Sequence, residues 1–259
     1  MRKYLKITIA LGALLALTVA GIASGAGSKE EVTIGNLNFK AGGTFSPKVL
    51  SKTKPTPIAL SVEGQIKTLD GSHPPALKEA LVETDKNGTV QVKGFPTCKS
   101  GQLQSQDTSH AEAICKPAII GTGTTNIEIA FPESKVVPVS SKLLVFNGGE
   151  KGGVITFYIH AYITVPVPAA VVTTVKIKKI HKGRYGLESI ASIPKIAGGS
   201  GSVKSFSLKI DKKYTYKGKK VSILSAKCPD GKLQAHATAV FSDGTRASTE
   251  FIRTCTGKG

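Results

Sequence analysis

Apolar and polar residues alternate in short runs along most of the chain, and this period of two is typical of half-buried β-strands. The first clear run extends from Ile58 to Ile66. Similar runs follow at residues 80–84, 89–93, 127–131, 143–146, 154–165, 171–180, 206–210, 221–226 and 233–241. Turn residues separate many of them. The pattern predicts an all-β protein built from antiparallel strands.

Three connections have the turn chemistry of β-hairpins, each between two neighbouring runs. Asp85-Lys86-Asn87-Gly88 contains the Asn-Gly pair that accepts a positive φ. A glycine-rich loop spans residues 147–153, and Ser242-Asp243-Gly244-Thr245 returns the last run towards Cys255. We therefore predict three local hairpins.

One helix is predicted in this otherwise β-rich pattern. Between Cys98 and Cys115, Ser109 and Glu112 have the S-x-x-E spacing of a capping box, in which the serine caps the helix and the glutamate bonds back to it. A short apolar stretch follows them. The spacing predicts one small helix inside this loop.

The N-terminal residues have the layout of a secretory signal peptide. Positive charge at residues 2–6 precedes an apolar stretch at residues 7–23, and small residues follow at 23–26. An uncleaved membrane anchor is the less favoured alternative, because the apolar run is shorter than the ~20 residues of a spanning helix. We predict a signal peptide at residues 1–26, no transmembrane segment in the mature chain, and a secreted or cell-surface location.

Landmarks in the mature chain recur in the same order, which predicts two related domains. Pro55-x-Pro57-x-Ala59 is followed at a distance by Pro166-x-Pro168-x-Ala170, and Cys98-x-x-Gly101-x-Leu103-Gln104 by Cys228-x-x-Gly231-x-Leu233-Gln234. Chance similarity of turn residues is the alternative explanation. The predicted organisation, given by residue ranges, is an N-terminal extension at 27–54, one sandwich-like antiparallel β domain at 55–165 and a second, cationic one at 166–259.

The four cysteines predict two disulfides, because an even number in an exported chain is typical of an oxidised protein. Three connectivities are possible. A zinc site that includes His110 is the alternative, but the chain has no C-x-x-C pair. The duplication hypothesis pairs Cys98 with Cys115 and Cys228 with Cys255. The last hairpin independently brings Cys255 close to Cys228.

Positive charge is concentrated in the second half of the sequence. Residues 27–170 contain 14 Lys and Arg and 12 Asp and Glu, whereas residues 171–259 contain 18 and 5. The lysines and the arginine that we predict to bind a polyanion are Lys176, Lys178, Lys182, Arg184, Lys212, Lys213, Lys217, Lys219 and Lys220. The expected partner is an anionic wall polymer or an anionic membrane surface rather than nucleic acid. We expect residues 166–259 to bind such surfaces by themselves. Lysines on exposed strands also deter aggregation, which is the structural alternative.

The chain lacks the common catalytic motifs. It has no G-x-S-x-G elbow, H-E-x-x-H pair or phosphate-binding glycine loop, and its five histidines show no metal-ligand spacing. A stripe of Tyr158, His160 and Tyr162 on one strand face is a candidate binding surface, although such residues also suit an ordinary strand. We predict a non-enzymatic protein without metal or cofactor. The alternative is a secreted hydrolase of carbohydrate or ester whose site assembles across strands. The sequence leaves the oligomeric state open.

Several short segments carry a resemblance to a known group of proteins. They are Val62-Glu-Gly, Asp70-Gly-Ser-His-Pro-Pro-Ala-Leu77, Phe146-Asn-Gly-Gly149, Tyr214-x-Tyr-x-Gly218, Leu224-Ser-Ala-x-Cys-Pro229 and Arg253-Thr-Cys255. With its four cysteines, the chain resembles an uncharacterised family of exported actinobacterial proteins. The resemblance implies export and a cysteine-stabilised domain, and it implies no activity, ligand or catalytic residue.

Overall fold

The structure is a computed structural model that describes residues 29–259, so the predicted signal peptide lies outside the described residues. Strands make up 62% of the structure and helical turns 7%, which confirms an all-β protein with one short helix. The strands are β1 Glu30–Ile34, β2 Leu37–Ser46, β3 Val49–Ser51, β4 Thr56–Pro57, β5 Ala59–Thr68, β6 Leu77–Asp85, β7 Gly88–Val90, β8 Ile119–Ile129, β9 Val137–Lys151, β10 Val154–Ile163, β11 Ala169–Lys182, β12 Tyr185–Ser192, β13 Gly201–Ile210, β14 Lys213–Tyr216, β15 Lys219–Ser222, β16 Leu224–Ala226, β17 Lys232–Phe241, β18 Arg246–Thr254 and β19 Thr256–Lys258. The helix, α1, spans Thr108–Cys115, and three 3-10 turns lie at Ser100–Gln102, Lys116–Ala118 and Ala197–Gly199.

Twelve strands form one antiparallel sheet, in the order β1-β2-β5-β13-β8-β9-β10-β11-β12-β6-β17-β18. The first and last strands of this order, β1 and β18, lie against each other, so the sheet is nearly closed. Near-closure leaves few unpaired backbone groups at sheet edges. Alternating residues of the strands therefore face a common interior.

The interior is filled by side chains from both halves of the sequence. Phe39 of β2 and Phe241 of β17 meet edge to face, with ring centroids 6.4 Å apart. A second part of the core contains Phe157 and Ile177, together with Ile223 from the connections that cover one end of the sheet. Packing across the interior therefore joins strands that are far apart in sequence.

The two ends of the sheet are closed differently. One end carries the connections at residues 47–58, 86–118, 152–153, 183–184 and 211–231 and the C-terminal residues 255–259. The other end carries the connections at residues 35–36, 69–76, 130–136, 164–168, 193–200 and 242–245. The first set holds fifteen Lys and Arg against four Asp and Glu, and the second set holds two against three. We call them the cationic end and the neutral end.

The boundary predicted at residue 165/166 does not divide the sheet. Strand β5 from the first predicted domain pairs with β13 from the second, and β6 pairs with both β12 and β17. The two segments therefore share one sheet and one core instead of forming a sandwich each. The physical reason is edge pairing, because each segment alone would expose unpaired strands.

The segment at 27–54, predicted as an extension, supplies β1, β2 and β3. Leu37, Phe39 and Ala41 alternate along β2 and are buried in the core.

The hairpin predicted at residues 80–93 is absent from the described structure, because β7 pairs with β16 and not with β6. The other two predicted hairpins are confirmed by the pairing of β9 with β10 and of β17 with β18.

The helix begins earlier than predicted. Asp107 is its N-cap, and its carboxylate accepts a hydrogen bond from the backbone N–H of His110 at 2.8 Å. Ser109, the predicted cap, lies inside the helix and donates its hydroxyl to Asp107 at 2.7 Å. An aspartate satisfies the free backbone donors of the first turn as well as a serine does.

Candidate functional site

A cleft of about 1050 Å³ opens at the cationic end. Its walls are the turn between β9 and β10, the ends of β11 and β12, and the small strands β7, β15 and β16. Its volume lies at the upper limit of the range typical of ligand sites, about 300–1,000 Å³.

Four lysines from three separate segments line the cleft, namely Lys86, Lys178, Lys179 and Lys220. Lys178 forms an ion pair with Glu188 at 2.7 Å. The other three are exposed and form no ion pair with any residue from 29 to 259. The cleft also contains His181 and one carboxylate, that of Glu150. The balance of charge in the cleft therefore favours an anion.

Lys179 has an unusual position in its strand. Val175 and Ile177 precede it on the interior face of β11, and Lys179 continues their period of two where the strand reaches the cleft. Leu187 of β12 is its partner in the sheet. A charged side chain on an interior face is costly unless water or a partner reaches it. Here the cleft provides that access.

The apolar part of the cleft is continuous with the core. Val90, Ile155 and Leu187 line the cleft and pack against the core cluster around Ile177, but their side chains are only partly buried. Val221 of β15 adds a further apolar side chain to the wall. The cleft thus combines an apolar floor with a lysine rim.

The nine predicted polyanion-binding residues do not form one site. Lys178 and Lys220 line the cleft. Lys182 instead pairs with Glu83 on the outer face of the sheet at 2.8 Å, and the ring of Tyr216 lies 5.8 Å from the ammonium of Lys217. The remaining lysines are exposed on β11, on the hairpin of β14 and β15, or in the connection just before it, all outside the cleft lining: Lys176, Lys213, Lys219 and Lys212.

Arg184 has a structural position at the turn between β11 and β12. Its guanidinium donates to the carboxylates of Asp85 and Asp230 and to the carbonyl of Lys232. The hydrogen bonds with Asp230 and Asp85 raise the pKa of Arg184 above its usual value, and Arg184 in turn lowers the pKa of Asp230. These contacts fix the turn that borders the cleft.

Tyr185 lies beside Arg184 and also lines the cleft. Its hydroxyl donates to Glu250 at 2.8 Å. Burial, together with that hydrogen bond, raises the pKa of Tyr185 to about 12. The phenol is therefore protonated at neutral pH and contributes no negative charge to the cleft.

The predicted stripe on β10 lies beneath the disulfide-bonded loop and α1. His160 is fully buried, and its Nε2–H donates to the carbonyl of Gln106 at 2.9 Å. Burial lowers the pKa of His160. Tyr158 packs against the cluster that includes Cys98, and Tyr162 is partly buried. The loop therefore covers the centre of this stripe.

Both disulfides have the local connectivity that the duplication hypothesis gave. Cys98 is bonded to Cys115 and Cys228 to Cys255, so none of the four cysteines is available to zinc. Within residues 29–259, no group of three or more His, Cys, Asp or Glu side chains is placed to hold a metal ion. Two disulfides are typical of an oxidising extracellular environment. No helix in this part of the chain is long and apolar enough to cross a membrane.

Four of the five histidines in residues 29–259 contact a carboxylate or a backbone carbonyl. His236 lies 3.4 Å from Glu83, and His73 lies 3.7 Å from Glu128. Residues 29–259 contain no hydrogen-bonded Ser–His pair, and Glu150 is the single carboxylate among the residues that line the cleft. No protein family model, curated protein or solved structure matches this chain.

Two residues of the cleft were missed by the sequence-based prediction of site residues. The predicted hairpin turn accounts for Lys86, and Lys179 is one of several basic residues clustered along β11. A signal for Lys179 does exist in the sequence, because it continues the apolar alternation of Val175 and Ile177. A lysine at the end of an interior-facing series indicates an opening in the core.

Proposed function

We propose that this is a non-enzymatic binding protein of the cell surface that holds an anionic polymer at the lysine-lined cleft. One observation carries the proposal: Lys86, Lys179 and Lys220 come from distant parts of the chain, line one cleft and have no carboxylate partner among the described residues. Lysines that only keep a surface soluble have no reason to line the same cleft. A phosphate-rich wall polymer supplies the charge that these ammonium groups lack.

The surroundings of the cleft support the same proposal. The connections of the cationic end carry an excess of eleven positive charges, whereas those of the neutral end carry one excess negative charge. Such a separation attracts a polyanion to one end of the molecule over distances near the Debye length, about 10 Å at 0.1 M salt. The cleft would then provide short-range contacts.

The test measures binding of long-chain polyphosphate by the protein and by two double variants. K179Q/K220Q removes two charges from the cleft, and K135Q/K195Q removes two exposed charges from the neutral end as the matched control. At about 1 kcal/mol per lysine near an anionic surface, the cleft variant should bind roughly thirtyfold more weakly. The control should change affinity less than threefold. Equal losses in both variants would show that only net charge matters and would refute the cleft as the site.

A further inference from the structure

The cleft offers an anionic ligand more than positive charge, because part of its wall belongs to the core. Ile177 is 6% exposed and is the most buried apolar residue of the lining. Val90, Ile155 and Leu187 surround it and remain partly uncovered. Contact between water and these apolar side chains is unfavourable. A ligand that covers them would therefore gain binding free energy from burying their exposed surface.

The apolar and charged groups are also arranged in order. Along β11, Ile177 faces the interior, and Lys179 follows it on the same face, two residues closer to the solvent. Two residues of a strand span about 6.6 Å. A ligand with an anionic group at Lys179 and an apolar chain attached to it would therefore place the chain against Ile177 and Leu187.

A purely polar polyanion would not use this floor. Its hydroxyl and phosphate groups would lose water against Ile155 and Val90 without finding hydrogen-bond partners there. A neutral hydrocarbon would leave the ammonium groups of Lys86, Lys179 and Lys220 uncompensated. Only a ligand that has both parts matches the lining.

Resting on the proposed function, we propose that the cleft takes a single-chain anionic amphiphile, in which a phosphate group at the lysine rim carries an apolar chain that lies on the floor. The chemical class is an alkyl or polyprenyl phosphate, such as the lipid-linked end of a surface polymer. The lysines bind the phosphate, and the partly covered side chains of Val90, Ile155 and Leu187 bury the chain.

The experiment titrates the protein by calorimetry with inorganic phosphate and with butyl, hexyl, octyl and decyl phosphate, each below its micelle concentration. If the chain enters the cleft, affinity should rise about fourfold for each added methylene, which corresponds to ~0.8 kcal/mol. The variant V90T/V221T keeps the shape of the wall while adding hydroxyls, and it should reduce this increment. V136T/V167T changes two exposed valines at the neutral end and should leave it unchanged.

The outcomes separate this inference from the proposed function. Both proposals are supported if affinity rises with chain length and K179Q/K220Q binds every alkyl phosphate more weakly. Polyphosphate binding that requires the cleft lysines, with alkyl phosphates no tighter than inorganic phosphate, would leave the proposed function standing and overturn the amphiphile. Chain-length dependence that is unaffected by V90T/V221T would also overturn it, because the chain would then bind elsewhere. If K179Q/K220Q binds polyphosphate and the alkyl phosphates as tightly as the unchanged protein does, both proposals are overturned.

Discussion

Replacing Arg184 with methionine should destabilise the protein more than the loss of any exposed ion pair. The guanidinium donates to Asp85 at 2.6 Å and to the carbonyl of Lys232 at 2.7 Å, and it also pairs with Asp230. The side chain of Asp85 is only 4% exposed. Removing Arg184 therefore leaves a buried carboxylate without its counter-ion.

The magnitude follows from what Asp85 retains. Breaking a buried ion pair by removal of one partner costs about 3–5 kcal/mol. Asp85 still accepts backbone N–H groups from Asn87 at 2.9 Å and Gln234 at 3.1 Å, and the guanidinium of Arg184 was 24% exposed. We therefore expect about 2–3 kcal/mol, or a fall in Tm of roughly 5–10 °C for a chain of this size.

The assay is urea unfolding followed by circular dichroism, since the chain has no tryptophan. The matched control is Lys142→Met, which breaks the pair with Glu112, whose two side chains are 49% and 41% exposed. Its cost should be below about 1 kcal/mol. Asp85→Asn added to Arg184→Met should recover part of the stability by removing the buried charge. Equal losses for Arg184→Met and Lys142→Met would contradict this reasoning.

Two further predictions concern the core and the loop over β10. An alanine at Gly123 would overlap the backbone carbonyl of Ser207, so Gly123→Ala should cost about 2–3 kcal/mol in urea unfolding, whereas Gly101→Ala, with open space around it, should cost far less. Because burial lowers the pKa of His160, the unfolded chain binds more protons below about pH 6.5, and stability should fall as the pH drops through that value. His160→Gln should flatten this dependence of stability on pH. An unchanged pH profile would refute the attribution of that dependence to His160.

Features that depend on neighbouring residues could be predicted from the sequence. The hairpins β9–β10 and β17–β18 follow from glycine-containing turns between alternating runs, and the structure pairs these strands. The second disulfide follows from the β17–β18 hairpin, because this hairpin returns Cys255 towards Cys228. In each case the partners are linked by a short connection, so local turn chemistry determines the contact.

Pairing between distant strands could not be predicted in this way. Ile210 of β13 lies opposite Leu60 of β5, and Ala239 of β17 lies opposite Ala80 of β6. All four residues have the alternation expected of a strand, but that pattern specifies which face is buried and not which strand lies alongside. The shared sheet, and with it the position of the cleft, depends on these choices.

The same limit explains why charge was assigned to a half of the sequence instead of an end of the molecule. Residues 166–259 contain β11 and β17, which run the full length of the sheet, and their connections lie at both ends. Lys220 and Lys179 from that half lie in the cleft together with Lys86 from the other half. Separate expression of residues 166–259 would deprive β11, β12, β13 and β17 of their partners β5, β6, β8 and β10 and expose strand edges. The cationic surface is therefore a property of the nearly closed sheet. It arises because the long connections that cover one end carry fifteen basic residues, while the connections at the opposite end are nearly neutral.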